Sequence, residues 1–346
     1  MARSARAHLV RLFPPAEHGG VVVIPFEGSR MTIGRSQDCS IQLQDRGVSP
    51  EHARVERSRT GSALRVQDLR SGAGTHVAGR HVPRQGVDLR DGETLRVGET
   101  IFLHRRWTEA DAVSAALPPL PGPVNSCHPA IVSGLRRLQG KRFDAGAFWI
   151  VGASGSGRSV VIDHLSTLVE VASGGDWITD GARFVTCESV PPDADPERTL
   201  VLPPLTDRRE DLLVLFASLN GGELPPMTPR LAEALLVYDW PGNIRELRLS
   251  LARAHDPRFG AEPGTTWDLP QFPDCERFLR EIAGETDPLT LQTPERPLPP
   301  LARDMRTLMH AHEWRIHQVA AATGRTRANV LEHMFALGIR EPWDRA

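Results

Sequence analysis

Three groups of residues in this chain have the types and spacing for chemistry on phosphate. Gly152-Ala-Ser-Gly-Ser-Gly-Arg-Ser159 has the glycine spacing of a loop whose backbone N–H groups cradle phosphates at a helix N-terminus. Arg158 stands where that pattern carries lysine; it keeps the charge but is bulkier and differently hydrated. Ser159 offers a hydroxyl suited to a magnesium ion. Earlier in the chain, Arg35 presents a planar fork of donors matched to phosphate oxygens, and Ser49 adds a hydroxyl on a second loop. Near the end, Arg325, Thr326, Arg327, Asn329 and His333 gather around the start of an expected helix. Arginine and asparagine there can read base edges or phosphates.

The elements that position these groups fall into five stretches. Residues 1–106 read as all-β, with short apolar runs at 21–26, 31–33, 63–66, 95–97 and 100–103 separated by Gly- and Asp-containing turns. Residues 107–130 hold Leu117-Pro-Pro-Leu-Pro-Gly-Pro123 and read as an extended linker. In residues 131–255 the patterns lengthen into helix and strand. Residues 147–151 form a buried strand running into Gly152, and Val160, Val161 and Leu165 mark the apolar face of the helix beyond. Residues 256–300 are rich in proline and read as a second linker with one short helix around 276–283. Residues 301–346 read as helical. Gly324 makes a turn there, and Thr326 caps a second helix whose Val330, Met334 and Leu337 face inward, a helix-turn-helix pattern.

Composition narrows the classes. The chain has 346 residues, 40% hydrophobic and 24% charged, which describes a soluble protein of several domains. A net charge of −2 provides no global basic field, so DNA contact requires a local patch. Lys141 is the only lysine. Cys39, Cys127, Cys187 and Cys275 are far apart, which argues against a disulfide framework or a zinc site and leads us to expect no metal. Neither a signal peptide nor a membrane span is apparent, so a cytoplasmic protein with no membrane partner is expected.

Five short signals occur in order: Ile33-Gly-Arg-Ser36, Val48-Ser-Pro-Glu-His-Ala53, Asp68-Leu-Arg-Ser-Gly-Ala-Gly-Thr75, Leu89-Arg-Asp-Gly92 and Val97-Gly98. Together they resemble the forkhead-associated (FHA) domain, a β-sandwich whose loops at one end bind phosphothreonine peptides. The resemblance implies a phosphopeptide site of Gly34, Arg35, Ser49 and Thr75, with Gly34 permitting the turn that points Arg35 outward. It also implies that His52 braces the Ser49 loop from behind. The chain departs from the family at Ala73, where an asparagine usually holds the peptide backbone, and at Pro50, where a basic residue is common.

Further on, Phe184-Val-Thr-Cys187, Leu202-Pro-Pro-Leu-Thr-Asp-Arg-Arg-Glu-Asp-Leu212 and Tyr238-Asp-Trp-Pro-Gly-Asn-Ile-Arg-Glu-Leu247 resemble the AAA+ core and helical lid of sigma-54-dependent transcription activators. The end of the chain resembles their Fis-type helix-turn-helix. The resemblance implies nucleotide contacts at Gly152, Gly155, Gly157, Arg158 and Ser159, with Arg245 as the second sensor. Between Cys187 and Leu200, however, the apolar strand ending in Asp-Glu is missing, and so is the Gly-Ala-Phe-Thr-Gly-Ala loop that grips the sigma factor. Phosphoryl transfer depends on placed metal and charge. The expectation is therefore no catalytic residues, no ATP hydrolysis and no required cofactor, with residual ATP or ADP binding at most.

The expected fold is multidomain: an N-terminal all-β FHA sandwich, a shortened α/β AAA+-like remnant with a helical lid, and a C-terminal all-α helix-turn-helix. The expected function is a bacterial transcription regulator that couples phosphothreonine recognition to DNA binding without ATP-driven sigma-54 remodelling. Its partners would be a phosphothreonine-containing protein and DNA, and it would form a homodimer or a hetero-oligomer with full-length relatives. The alternative is a phosphothreonine-binding adaptor in a Ser/Thr kinase pathway whose C-terminal helices only dimerise.

Overall fold

Alternating apolar and polar residues build the N-terminal strands. In β6 (Leu64–Asp68), for example, Leu64 and Val66 are buried while Arg65 and Gln67 are exposed. The computed structural model describes residues 5–16, 20–45, 47–58, 63–118, 124–139, 146–172, 182–255 and 266–284, all within one compact unit spanning residues 1–285. The helix-turn-helix expected at 301–346, with Arg325, Thr326, Arg327, Asn329 and His333, lies outside the described residues.

The remaining strands of the N-terminal part are β1 (Arg6–Phe13), β2 (Val22–Pro25), β3 (Arg30–Gly34), β4 (Ile41–Gln42), β5 (Ala53–Arg57), β7 (Thr75–Val77), β8 (Arg80–His81), β9 (Val87–Leu89), β10 (Thr94–Val97) and β11 (Thr100–Trp107). They form two sheets, ordered β2-β1-β11-β10-β7-β8 and β4-β3-β5-β6-β9. Leu9, Ile33, Val55, Val66, Leu89, Leu95 and Phe102, drawn from both sheets, share one core.

β1 and β11 do not alternate, because each is buried on both faces. Leu9 and Phe102 enter the sandwich core, whereas Val10, Leu12, Ile101, Leu103 and Trp107 enter a second core made largely of helices. Those helices are α1 (Glu109–Ala116), α4 (Leu212–Leu219), α5 (Pro229–Val237), α6 (Asn243–Ala254) and α7 (Pro273–Ala283). Thr108 starts α1 with a capping box to Asp111. Thr228 caps α5 by accepting from the Leu231 N–H, with Pro229 in the first turn.

Two linker assignments are corrected here. Within 107–130, α1 packs beside the sandwich, and Val124, Ser126 and Cys127 are buried. Within 256–300, Trp267, Leu269, Phe272, Cys275 and Leu279 are buried in the helical core. Pro273 sits in the first turn of α7, where a missing N–H costs nothing, and Gly284 ends the helix at φ 72°.

The third part holds α2 (Pro129–Gln139), β12 (Gly146–Val151), α3 (Arg158–Ala172), β13 (Ala182–Cys187) and β14 (Thr199–Val201). The strands are parallel in the order β13-β12-β14, and Ile131, Leu135, Phe148, Ile150, Val161, Leu165 and Leu200 form their core.

Candidate functional site

Two loops of the sandwich meet at Gly34. The Arg35 N–H donates to Ser49 O at 3.0 Å and the Ser36 N–H to Pro50 O at 2.9 Å. A Cβ on Gly34 would lie 2.2 Å from Pro50 O, so glycine is required by the close approach of the two backbones. That replaces the expected reason, a turn needing glycine's conformational freedom. Arg35 is exposed just beyond this junction. His52 is fully buried behind it; its Nδ1 accepts from the Ser49 N–H at 3.2 Å, and its Nε2 lies 3.1 Å from Gly74 O. Ser49 Oγ accepts from the Gly72 N–H at 3.2 Å, which leaves its own hydrogen free to donate.

The third loop, residues 68–75, is organised by one carboxylate. Asp68 accepts from the Ser71 N–H (2.9 Å), the Ser71 hydroxyl (2.6 Å) and the Thr75 hydroxyl (2.6 Å). Burial alone would raise its pKa, but these hydrogen bonds outweigh burial and hold it below the usual carboxylate range. Thr75, expected in the peptide site, is fully buried with its hydroxyl donating to Asp68, a position from which it shapes the loop. The motif lists Thr75 beside exposed residues, and only burial separates the two roles.

The glycine loop joins β12 to α3, which begins at Arg158. Gly155 and Gly157 adopt φ of 75° and 102°, conformations that disfavour any other residue. The start of α6 clasps this loop. The Ile244 N–H donates to Gly155 O (3.0 Å), Asn243 Nδ2 to Ser154 O (3.1 Å) and Arg245 to Ser154 Oγ (3.3 Å). Gly152 is equally tight, since a Cβ there would meet Leu202 O at 2.7 Å. Arg158 is half-buried and Ser159 exposed. β13 lies directly beside β12, with the Gly152 N–H donating to Cys187 O at 3.0 Å, and its end presents Cys187 followed by exposed Glu188. The helix start, the left-handed glycines and Arg245 suit a phosphate.

A buried charge cluster went unassigned in the sequence. Arg208 donates to Ser156 O at 2.6 Å and faces Asp211 at 3.7 Å. Asp211 accepts from the N–H groups of Cys127 (2.6 Å) and His128 (3.0 Å) and from the Ser126 hydroxyl (2.7 Å), and so fixes the entry to α2. Burial pushes the Asp211 pKa up against the pull of Arg208, and burial lowers that of Arg208. Glu210 pairs with Arg105 of β11. The signal was available: the charge run Asp207-Arg-Arg-Glu-Asp211 leads straight into the apolar helix α4.

With this geometry in view, comparison with known proteins identifies the sandwich. Residues 31–98 match the FHA domain family, and this part of the chain is an FHA domain. The chain is also similar to bacterial transcription regulators. It is 42% identical over 95 residues to the transcriptional regulatory protein ZraR of Salmonella typhimurium, covering 25% of this chain and 21% of that protein. It is 42% identical over 62 residues to the regulatory protein AtoC of Escherichia coli K12, covering 16% and 13%. The chain thus matches about a fifth or less of these relatives' length. A structure of Mycobacterium tuberculosis EmbR in complex with a low-affinity phosphopeptide aligns at 29% identity over 30% of this chain and 25% of its own, with a TM-score of 0.26. That score is too low to define a shared overall fold. Among the described residues no helix is long and apolar enough to cross a membrane.

Proposed function

We propose that this protein is a phosphothreonine-responsive transcription regulator that binds DNA and does not remodel sigma-54 polymerase by ATP hydrolysis. The observation carrying the first half is the joined pair of loops that sets exposed Arg35 beside Ser49, whose hydroxyl keeps a free donor, within an FHA domain. A guanidinium and a hydroxyl carried on two loops bonded to each other suit a phosphate dianion. The regulatory half rests on the similarity to ZraR and AtoC together with the sequence pattern at 301–346. A regulator without turnover is supported by the sequence between Cys187 and Leu200, which has no apolar stretch ending in Asp-Glu; in this reading the phosphate loop and α6 serve as a connector and nucleotide binding is residual.

The test has two arms. Capture by a phosphothreonine peptide library is expected for the wild type and lost in Arg35→Ala; equal capture by both refutes the sensor. In gel shifts with the full chain on genomic fragments, the wild type is expected to bind selectively and to weaken with rising salt, whereas Arg325→Ala/Arg327→Ala loses the shift. No selective binding at low salt would favour the adaptor reading, in which the C-terminal segment only dimerises.

A further inference from the structure

The FHA domain lacks the asparagine expected to hold a peptide backbone, and the loop that lacks it carries an exposed arginine with a left-handed backbone. Ala73 is exposed and has no polar side-chain atom; its methyl would lie 3.6 Å from a Cβ on Gly47 of the neighbouring loop. Three residues earlier, Arg70 is exposed at φ 61°, a left-handed conformation that costs a non-glycine residue about 1–2 kcal/mol. Its side chain makes no hydrogen bond or ion pair among the described residues. The conformation is imposed from both sides, since the Leu69 N–H donates to His52 O at 2.8 Å and the Ser71 N–H to Asp68 at 2.9 Å. Strain held this firmly at a binding loop is a pointer to function.

The surroundings leave the charge of Arg70 unspent. Asp68, the nearest acid in sequence, is occupied by Ser71 and Thr75. The Gly72 N–H bonds to Ser49 Oγ, and Ser49 O accepts from the Arg35 N–H, so the loop that carries Arg70 is bonded through Ser49 to the loop that carries Arg35. Exposed Asp38 and Glu51 lie on the segments beside Arg35, which makes the Arg70 end the more favourable one for negative charge. An asparagine amide both donates and accepts, and so can hold a peptide backbone of any sequence. A guanidinium only donates, and its best partner is a carboxylate taken in bidentate fashion.

Resting on the phosphothreonine reading, we propose that Arg70 is a specificity-determining residue of this site and selects an acidic side chain flanking the phosphothreonine. The binding energy that an asparagine would take from the peptide backbone comes here from a charged side chain.

The experiment measures binding of the full chain to phosphothreonine peptides in which aspartate or alanine is placed in turn at each flanking position. Arg70→Gly is the informative variant, because glycine adopts the same φ without strain and the loop is kept. The wild type is expected to prefer the best-placed aspartate by about tenfold. Arg70→Gly should lose that preference while binding the alanine peptide as before, and Arg70→Glu should penalise the aspartate peptide. An unchanged preference in Arg70→Gly overturns the proposal, as does an equal loss for both peptides. Arg35→Ala separates the two readings: if it binds every phosphopeptide like the wild type, the phosphothreonine site itself is wrong, whatever Arg70 does.

Discussion

Arg105 and Glu210 form a buried ion pair that ties the last strand of the FHA domain to the segment entering α4. Arg105 donates to Glu210 Oε2 from NH2 at 2.6 Å and from Nε at 3.2 Å, and also to Asp207 O at 2.7 Å. The two side chains are 10% and 0% exposed, so neither charge can fall back on water. Arg96 of β10 and Glu233 of α5 repeat the device at 2.7 Å, and Arg80 Nε donates to Ile282 O at 3.0 Å. The domain is therefore docked on the helices by paired charges around an apolar centre.

Removing one partner should cost more than removing both. Arg105→Met leaves Glu210 buried without its cation and is expected to lower unfolding free energy by about 3–5 kcal/mol. The double variant Arg105→Met/Glu210→Leu should recover most of that loss, because it removes the desolvated charge together with its partner. Urea denaturation of the two variants decides it; equal destabilisation would mean that lost packing, not the stranded charge, sets the cost.

Thr75 gives a second test. Thr75→Val keeps the shape but leaves one Asp68 oxygen short of a donor, at a cost of about 1–3 kcal/mol. Phosphopeptide affinity should fall with it as the 68–75 loop loosens, while Thr75→Ser retains both. Normal stability with lost binding in Thr75→Val would instead place the hydroxyl on the peptide.

Gly155 controls the clasp between the phosphate loop and α6. Its φ is 75°, and an added Cβ would sit 2.4 Å from Gly242 O. Gly155→Ala is expected to cost about 1–3 kcal/mol through the left-handed backbone alone, with the close contact adding to it. Hydrogen exchange should show faster opening at Ile244, whose N–H bonds to Gly155 O. An unchanged exchange rate at Ile244 would show that the clasp does not depend on this close fit.

Acid should loosen the docked face. Burial, aided by Arg96, His81 and Arg230 and opposed by Asp68, brings His76 from 6.5 down to about 4. Between those values the unfolded chain holds the proton and the folded one does not, so stability rises with pH across that window and is lost as pH falls through it. His8 and His104 shift the same way, both chiefly through burial. His76→Gln should therefore flatten part of the decline in a denaturation series from pH 7 to about 4. A curve as steep as that of the wild type would remove His76 from the account.

Much of the sandwich was legible because its signals are local. Ile33-Gly-Arg-Ser36 and the Asp68–Thr75 run encode loops whose hydrogen bonds close within a few residues, as Asp68 shows with Ser71 and Thr75. The division of labour inside those motifs was not legible. Thr75 and Arg70 sit in the same eight-residue run, yet one is buried and the other exposed. The prolines around α7 were read as linker because a proline that starts a helix and one that prevents it look alike until the packing partner is known.

The sequence by itself determined the short-range features: the short apolar runs of the sandwich, the buried strand that runs into Gly152, and the glycines of the phosphate loop. Each follows from the geometry of a few consecutive residues. What only the tertiary structure decided is the second use of the FHA sheet. The unbroken apolar run of β11 announces burial on both faces but not what covers them. Arg105 gives no sign of Glu210 a hundred residues away, since burial and pairing belong to both partners and exist only once the chain has brought them together.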